Sequence, residues 1–362
     1  MKINEQLVKY EAVLILRKAT GWGAKRITKV LNELGFSIPL STVNSYLYLD
    51  RAPRTTSPLI KSLFHHNAYK LALKLKEENP EWGCKRIKTE IKRRLGIWIP
   101  PTTIYGWINR RRKPNIVPLK ICSELGYVIG TLMTDCTCSS MVRLKVRDKD
   151  YAEAFVNALN MVTGKVYKVK ENGGFFIVMM HGSVLRYIVK SGLWRVIAYL
   201  YPKAWLQGLF DGDGGVGVSI GMKKEFRVVV TLTNSNISLL LFVKQLLERI
   251  MTIQCSLYLC LRKGERTRIS VPRRDCWELR IERQEDIIKF YKNIGFRIQR
   301  KQKKLKDTVE IVQKYKSSSK RVEAWLKKYV KRNGKWVPSP PLLFISLMLF
   351  SLVLSHSTIF WD

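Results

Sequence analysis

The sequence predicts an α+β protein, with a pseudo-symmetric pair of αββαββα units preceded by two all-α units. Two stretches of small residues at every fourth position end in an aspartate, and each is followed by strand-like alternation and amphipathic helices. The first 115 residues contain a repeated helical pattern instead. Alternation with period two is typical of strands, and apolar spacing of three to four residues is typical of helices.

The stretch AWLQGLFDGDG at 204–214 is the most informative one. Ala204, Gly208 and Gly212 recur every fourth position and form one stripe on a helix. Because none of them is larger than alanine, another backbone can approach closely there. Asp213 falls at the carboxyl end of this helix, where the macrodipole disfavours a negative charge, so a nearby cation is expected.

A second stretch, LGYVIGTLMTDC at 125–136, repeats this pattern at an offset of 78 residues. Two helices packed stripe to stripe would bring their terminal aspartates side by side. The matching pairs are Gly126 and Ala204, Gly130 and Gly208, Thr134 and Gly212, and Asp135 and Asp213.

The paired segments resemble the motifs of LAGLIDADG homing endonucleases. The second copy matches closely, whereas the first has Thr131, Thr134 and Cys136 where larger apolar, small and glycine residues are usual. The resemblance covers about 120–315 and implies two similar halves in one chain, hence a monomer. It also implies a double-stranded DNA partner and metal-dependent cleavage of both strands, each aspartate serving one strand.

Hydrolysis of a phosphodiester needs an activated water, a stabilised leaving oxygen and neutralised phosphate charge. Mg²⁺ can supply all three and prefers carboxylate oxygens, water and phosphate, so Mg²⁺ or Mn²⁺ is the expected cofactor. Asp135 and Asp213 are therefore the expected catalytic and metal-binding residues. Asp211 has Met133 as its counterpart and is expected to be structural.

The resemblance adds Lys301, in FRIQRKQKKL at 296–305, as a catalytic cation near the scissile phosphate. The corresponding place in the first unit, aligned through Gly192 and Gly295, is Ala198. Arg195 and Lys203 lie nearby in the sequence but match nothing. The first half is therefore expected to be chemically weaker.

Both units predict the same order of elements after the motif helix. In the first, strands are expected at 142–147, 165–170 and 174–180, and helices at 151–162 and 183–191. In the second, strands are expected at 216–220, 226–233, 255–262 and 276–281, and helices at 237–251 and 284–293. When Asp148 is aligned with Asn234, the first unit has eight fewer residues between its motif aspartate and its long strand. The first strand of this unit should therefore be short or absent.

The strand at 142–147, VRLKVR, alternates without interruption. Its odd positions, Arg143, Lys145 and Arg147, would share the face opposite the core. Three cations with no acid among them suit a phosphate surface, so DNA binding is expected there.

The N-terminal repeat pairs 21–47 with 81–108, and each copy predicts two helices joined by a glycine-containing turn. Ser41-Thr42 and Thr102-Thr103 are the expected N-caps of the second helices. The units resemble the helix-turn-helix arms of transposases and invertases, although a helical bundle that binds protein is an alternative. The expected DNA contacts are Thr42, Asn44, Thr103 and Tyr105, and Arg110, Arg111 and Arg112 in the extended basic linker that ends at Lys120.

Composition supports a nucleic-acid partner. The 362 residues include 65 Lys and Arg against 28 Asp and Glu, for a formal net charge of +37, which favours a polyanion. The seven cysteines show no zinc-site spacing and are expected to be reduced, in an intracellular protein.

The chain is expected to divide into five parts. After a predicted basic helix at 316–336, the apolar run at 342–361 could contact a membrane or be an unstructured extension. The five parts are 1–55 and 56–115 (helix-turn-helix units, the second with the linker), 116–203 and 204–315 (motif units), and 316–362 (helix and tail).

Two other functions stay open at this point. A DDE-type transposase would use Asp135, Asp213 and Glu248, whereas a non-cleaving transcription regulator of the same fold would usually lack the motif carboxylates. An RNA maturase is a related alternative.

Overall fold

The computed structural model describes residues 4–339 apart from 50–52, 54–56, 111, 140 and 266–272. Its first part is helical and consists of two three-helix units. The first unit contains α1 (Glu5–Thr20), α2 (Ala24–Glu33) and α3 (Leu40–Leu47), and the second contains α4 (Pro58–Glu78), α5 (Cys84–Leu95) and α6 (Pro101–Ile108).

The predicted N-caps of α3 and α6 are wrong. Pro39 and Pro100 hold the N-cap positions, and the hydroxyl residues lie inside the first turn without capping hydrogen bonds. Proline suits the start of a helix because it has no N–H that would need a hydrogen-bond partner there. Its ring also fixes φ near the helical value.

The two αββαββα units are present, which confirms the predicted fold class. The first contains α7 (Ser123–Leu132), β1 (Cys136–Cys138), β2 (Met141–Val146), α8 (Lys149–Thr163), β3 (Lys170–Asn172), β4 (Phe175–His181) and α9 (Ser183–Lys190). After α10 (Trp194–Leu200), the second contains α11 (Pro202–Asp213), β5 (Gly214–Ile220), β6 (Phe226–Asn234), α12 (Ile237–Arg249), β7 (Ser256–Leu261), β8 (Cys276–Ile281) and α13 (Gln284–Asn293).

The two antiparallel sheets have equivalent strand orders, β1-β2-β4-β3 in the first unit (sheet 1) and β5-β6-β8-β7 in the second (sheet 2). β1 has three residues where β5 has seven, so the expected shortening of the first strand is confirmed. The predicted strand at 165–170 is mostly irregular, and only Lys170–Asn172 pairs with β4.

Strand register corrects the alignment of the two units. Val142 pairs with Met180 and Val230 pairs with Ile281, and each partner lies three residues before the next helix. The offset is therefore 88 residues (230 against 142), and the first unit is ten residues shorter rather than eight. Asp148 corresponds to Asn236, since both are helix N-caps.

α7 and α11 pack backbone to backbone at the centre of the molecule. A Cβ atom on Gly130 would lie 2.2 Å from the Trp205 carbonyl oxygen, and one on Gly208 would lie 2.4 Å from that of Tyr127. Only glycine fits at either place. The stripe of small residues is therefore the contact surface of this helix pair, as the sequence predicts.

A further segment, α14 (Gln299–Lys314), α15 (Ser318–Lys328), β9 (Tyr329–Arg332) and β10 (Lys335–Pro338), follows α13. The predicted helix at 316–336 is wrong beyond Lys328, because Asn333 and Gly334 adopt positive φ and close a hairpin. Trp325 is fully buried against Phe226 and Tyr329, whereas Leu326 is 49% exposed.

The linker after the second helical unit lies against the protein. The Leu119 N–H donates to the carbonyl of Ser62 on α4, and the Lys120 N–H donates to that of Val162 on α8. The described part of the linker contains no helix or strand, and its end is fixed between α4 and α8.

No helix among the described residues is long and apolar enough to cross a membrane. The apolar run at 342–361 lies outside the described residues.

A buried carboxyl joins the helical part to the first motif unit. Glu11 of α1 accepts hydrogen bonds from the hydroxyls of Ser57, the N-cap of α4, and of Tyr187 on α9. Burial raises the pKa of Glu11 to about 7.

Replacing either contact glycine should destabilise the protein strongly. The added methyl group of Gly130→Ala or Gly208→Ala would overlap a backbone carbonyl that cannot rotate away, at a cost of at least about 2 kcal/mol. Thermal and denaturant unfolding would measure the loss. Gly215→Ala is the matched control, because its Cβ would meet nothing within 4 Å. Equal effects of the three substitutions would contradict this packing.

Glu11 should make stability depend on pH. The pKa of Glu11 is about 7 in the folded protein and 4.5 in the unfolded chain. The contribution of Glu11 to the free energy of unfolding is therefore complete below pH 4.5 and is lost as the pH rises to about 7. At 1.4 kcal/mol per pKa unit, the loss is roughly 3 kcal/mol. Denaturant unfolding at pH 4.5 and 7.5 should show a loss of stability in the wild type that is smaller by about this amount in Glu11→Gln, because the raised pKa of Asp213 contributes a loss of its own. The exposed control Glu33→Gln should keep the full loss.

Candidate active site

Asp135 and Asp213 meet where α7 and α11 end. Asp213 is the last residue of α11, whereas α7 ends at Leu132 and Asp135 lies in the following turn. The Asp135 carboxylate oxygen Oδ2 would lie 3.1 Å from a Cβ placed on Gly212. The two predicted catalytic carboxylates are therefore neighbours across the helix contact.

Both carboxyls hold their protons more tightly than aspartate does in water. Burial raises the pKa of Asp213 to about 6. A hydrogen bond from Asn234 opposes this increase, whereas the negative charge of Asp135 adds to it. Burial also raises the pKa of Asp135, although the residue is exposed on one side, and the Lys301 charge opposes this shift. Two close, partly desolvated carboxylates favour a bound cation.

Lys301 lies beneath the end of α11. Its ammonium group, which has three N–H donors, lies 2.5–3.3 Å from four backbone carbonyl oxygens, those of Phe210, Asp211, Gly212 and Gly214. Burial lowers the pKa of Lys301, while Asp211 and Asp135 oppose that change. The cation expected at this helix end is present, and it compensates the carbonyls that the helix leaves without a donor.

The first unit has no equivalent of this lysine at the predicted place. Ala198 is fully buried in α10. Arg195 lies 5.3 Å from the centre of the Trp194 ring, and Lys203 is exposed at the start of α11. Lys301, from the second unit, acts electrostatically on Asp135 as well as on Asp213.

The two aspartates also differ in their nearest polar neighbours. The Asn234 side-chain amide donates to Asp213 Oδ2 at 2.7 Å, and Val146 takes the corresponding place in the first unit. Asp135 instead has the buried hydroxyl of Tyr151 near it, which makes no hydrogen bond of ordinary geometry. Neither neighbour was predicted, since the register of β6 is needed to place Asn234 at the site and the packing of α8 is needed to place Tyr151 there.

Asp211 is structural, as expected. It accepts hydrogen bonds from the Tyr127 hydroxyl at 2.9 Å and from the Arg297 N–H at 3.1 Å. The Arg297 guanidinium also pairs with Glu124 on α7 at 2.6 Å. This network ties the segment before α14 to both motif helices and so fixes the position of Lys301.

α14 is also attached to the first unit. The Gln299 N–H donates to Asp150 at 2.6 Å, and Arg300 pairs with Asp148 at 3.0 Å. The helix that follows the second unit therefore contacts both units beside the aspartates.

The strand cations of sheet 1 lie where the alternation predicts. Arg143, Lys145 and Arg147 are exposed, whereas Val142 and Leu144 are buried. The outer surface of sheet 1 therefore offers positive charge beside the site.

The residues of the helical units that were predicted to contact DNA differ in their exposure. Tyr105 is 47% exposed, and Arg110 lies 5.7 Å from its ring centre. Thr103 instead lines a cavity of about 390 Å³ with Ser183 of α9, so it faces the motif unit. Thr42 and Asn44 are partly buried, Arg112 is exposed, and Arg111 lies outside the described residues.

The donor set fits a hard divalent ion that keeps open positions. Among the described residues, no three His, Cys, Asp or Glu side chains are grouped as metal ligands. A closed structural zinc site is therefore absent from the described part of the chain. Two neighbouring aspartates suit Mg²⁺ or Mn²⁺, which complete their coordination with water and substrate phosphate.

Comparison with known proteins places a LAGLIDADG-like domain at residues 201–295. An uncharacterized protein of Methanocaldococcus jannaschii is 26% identical over 263 residues, which span 67% of this chain and 92% of that protein. The resemblance of the second motif unit to the LAGLIDADG family is thereby confirmed.

Three solved structures show related arrangements at low similarity. A variant of the homing endonuclease I-DmoI is 14% identical, with a TM-score of 0.36 over 48% of this chain and 91% of its own. A mutant of I-SmaMI is 13% identical, with a TM-score of 0.36 over 55% and 94%. The N-terminal LAGLIDADG domain of DUF199/WhiA is 12% identical, with a TM-score of 0.34 over 49% and 84%. I-DmoI has been crystallised with DNA and Mn and with DNA and Ca.

Proposed function

We propose that this chain, whose residues 201–295 match a LAGLIDADG-like domain, is a site-specific endonuclease that hydrolyses both strands of double-stranded DNA with Mg²⁺ or Mn²⁺. The observation that carries the proposal is the meeting of Asp135 and Asp213 across the α7–α11 contact. Each half of the molecule contributes one carboxylate, which suits a substrate with two strands.

Asp135 and Asp213 would hold the metal. Bound metal would activate water and stabilise the charge that develops on the phosphate and the leaving oxygen. Asn234 would orient the Asp213 carboxylate through its 2.7 Å hydrogen bond. Lys301 would add positive charge from below, but its four carbonyl contacts make it a positioning residue rather than one that touches the phosphate.

The charge distribution supports a DNA substrate. The chain carries a formal net charge of +37, and three exposed cations lie on β2 and directly after it. Tyr105 and Arg112 add an aromatic ring and a cation on the second helical unit. Lysine and arginine side chains bind phosphates, and the affinity from such contacts falls steeply with salt.

A DDE-type transposase is disfavoured by the position of its third acid. Glu248 lies on α12 and pairs with Lys244 at 2.5 Å. The described residues hold no cluster of three acids around Asp135 and Asp213. A non-cleaving regulator is disfavoured because this chain retains both motif carboxylates.

Asp213→Asn and Asp135→Asn should each abolish cleavage while leaving DNA affinity within about threefold. Losing a metal-binding carboxylate removes several kcal/mol of transition-state stabilisation, which is a rate loss of roughly a thousandfold or more. The target would first be selected from random duplexes bound in EDTA, and cleavage then measured after adding Mg²⁺.

Glu153→Gln is the matched control, because Glu153 is an exposed acid on α8 whose only described partner is Lys149. It should cut like the wild type. A wild-type protein that binds its selected target and never cuts it with Mg²⁺ or Mn²⁺ would support the regulator instead. Undiminished cutting by Asp213→Asn would remove this residue from the catalytic site.

A further inference from the structure

The outer faces of the two sheets carry different chemistry. In sheet 1, directly paired residues place cations next to apolar side chains: Arg143 pairs with Met179, and Lys145 pairs with Ile177. Glu171 pairs with Phe176 and therefore lies on the opposite, core-facing side. Within the described residues, this outer face contains no acid.

The outer face of sheet 2 contains both hydrogen-bond donors and acceptors. Strand register aligns two polar rows across it. One row consists of Thr231, Arg280 and Ser256, and the other consists of Thr233, Glu278 and Tyr258. Leu279 and Ile281 alternate with them and are fully buried on the core side.

Glu278 and Arg280 form the centre of this face. The Arg280 Nε–H donates to Glu278 Oε2 at 2.5 Å, and the guanidinium lies 5.1 Å from the centre of the Tyr258 ring. The Glu278 side chain is only 18% exposed and the Arg280 side chain 40%. The pair is thus held in one place rather than free in solvent.

This pair is also connected to the catalytic end of the sheet. Arg280 pairs with Thr231, and Thr231 pairs with Gly215, which lies two residues after Asp213. A Cβ atom on Gly215 would meet nothing within 4 Å, so the surface between the pair and the aspartate is low and open. A duplex held at Asp213 could extend over this row.

An acid on a DNA-binding face needs a specific partner. A carboxylate repels phosphate, but it can accept a hydrogen bond from the N4 amino group of cytosine in the major groove. Arginine donates to O6 and N7 of guanine in the same groove. Phosphate contacts, in contrast, carry no sequence information directly, and a face of cations without acids can make them on any sequence.

Resting on the endonuclease function proposed above, we infer that the two sheets divide recognition unequally. Sheet 2 reads bases through Glu278 and Arg280, at a position that contains a G·C pair. Sheet 1 supplies affinity through phosphate contacts of Arg143, Lys145 and Arg147. One half of the target is therefore specified more strictly than the other.

The test is a selection of bound sequences from random duplexes in EDTA, using the full chain and three variants. The wild type should select a target with most of its sequence information in one half. Glu278→Gln should relax or change the preference at one or two adjacent positions, and Arg280→Lys should weaken the guanine preference there. Lys145→Ala should keep the selected sequence and lower affinity for all duplexes, with a salt slope smaller by about 1.

The outcomes separate this inference from the function it rests on. If the wild type selects no sequence, the proposed site-specific function fails. If the wild type selects a sequence and Glu278→Gln and Arg280→Lys, both still folded by thermal unfolding, select the same one, only the division between the sheets fails. A changed base preference in Lys145→Ala would also overturn the division.

Discussion

The close contact of α7 with α11 is the constraint on which the rest of the structure depends. Gly130 and Gly208 let the two backbones touch, and this closeness brings the carboxyl ends of both helices to one point. Each helix end bears partial negative charge, and two aspartates add more. The fold compensates with Lys301, whose ammonium group lies within hydrogen-bond distance of four carbonyls at and just after the end of α11. The electrostatic requirement for a cation therefore follows directly from the packing.

Much of this could be predicted from the sequence, because repeats constrain one another. The matching stripes of 125–136 and 204–214 predicted the helix pair and the meeting of Asp135 with Asp213. The alternation in β2 predicted which side chains face outward. The lysine at 301 was placed near the site by resemblance, but its contacts with backbone carbonyls depend on where α14 crosses α11, which no local pattern encodes.

The errors arose from one missed turn signal and from contacts between distant parts of the chain. Helical spacing predicted a helix at 316–336, but Asn333 and Gly334, a local turn pair with positive φ, turn the chain back into a hairpin. Asn234 was aligned by sequence with Asp148, whereas strand pairing places it beside Asp213. The orientation of Thr103 toward α9 depends on how the second helical unit docks, which is a long-range contact.

The two motif units are similar in fold, and the surroundings of their aspartates are chemically different. Asp213 has Asn234 as a hydrogen-bonding partner, while Asp135 has the nearby Tyr151 hydroxyl and shares Lys301 with the other half. The most direct test of a two-carboxylate site with unlike halves is a single-turnover time course with Mg²⁺, in which each strand of the selected target carries its own label. Both strands should be cut, one faster than the other, with nicked DNA accumulating before the double-strand break. Equal rates without a nicked intermediate, or binding with no cut in either strand, would contradict the account.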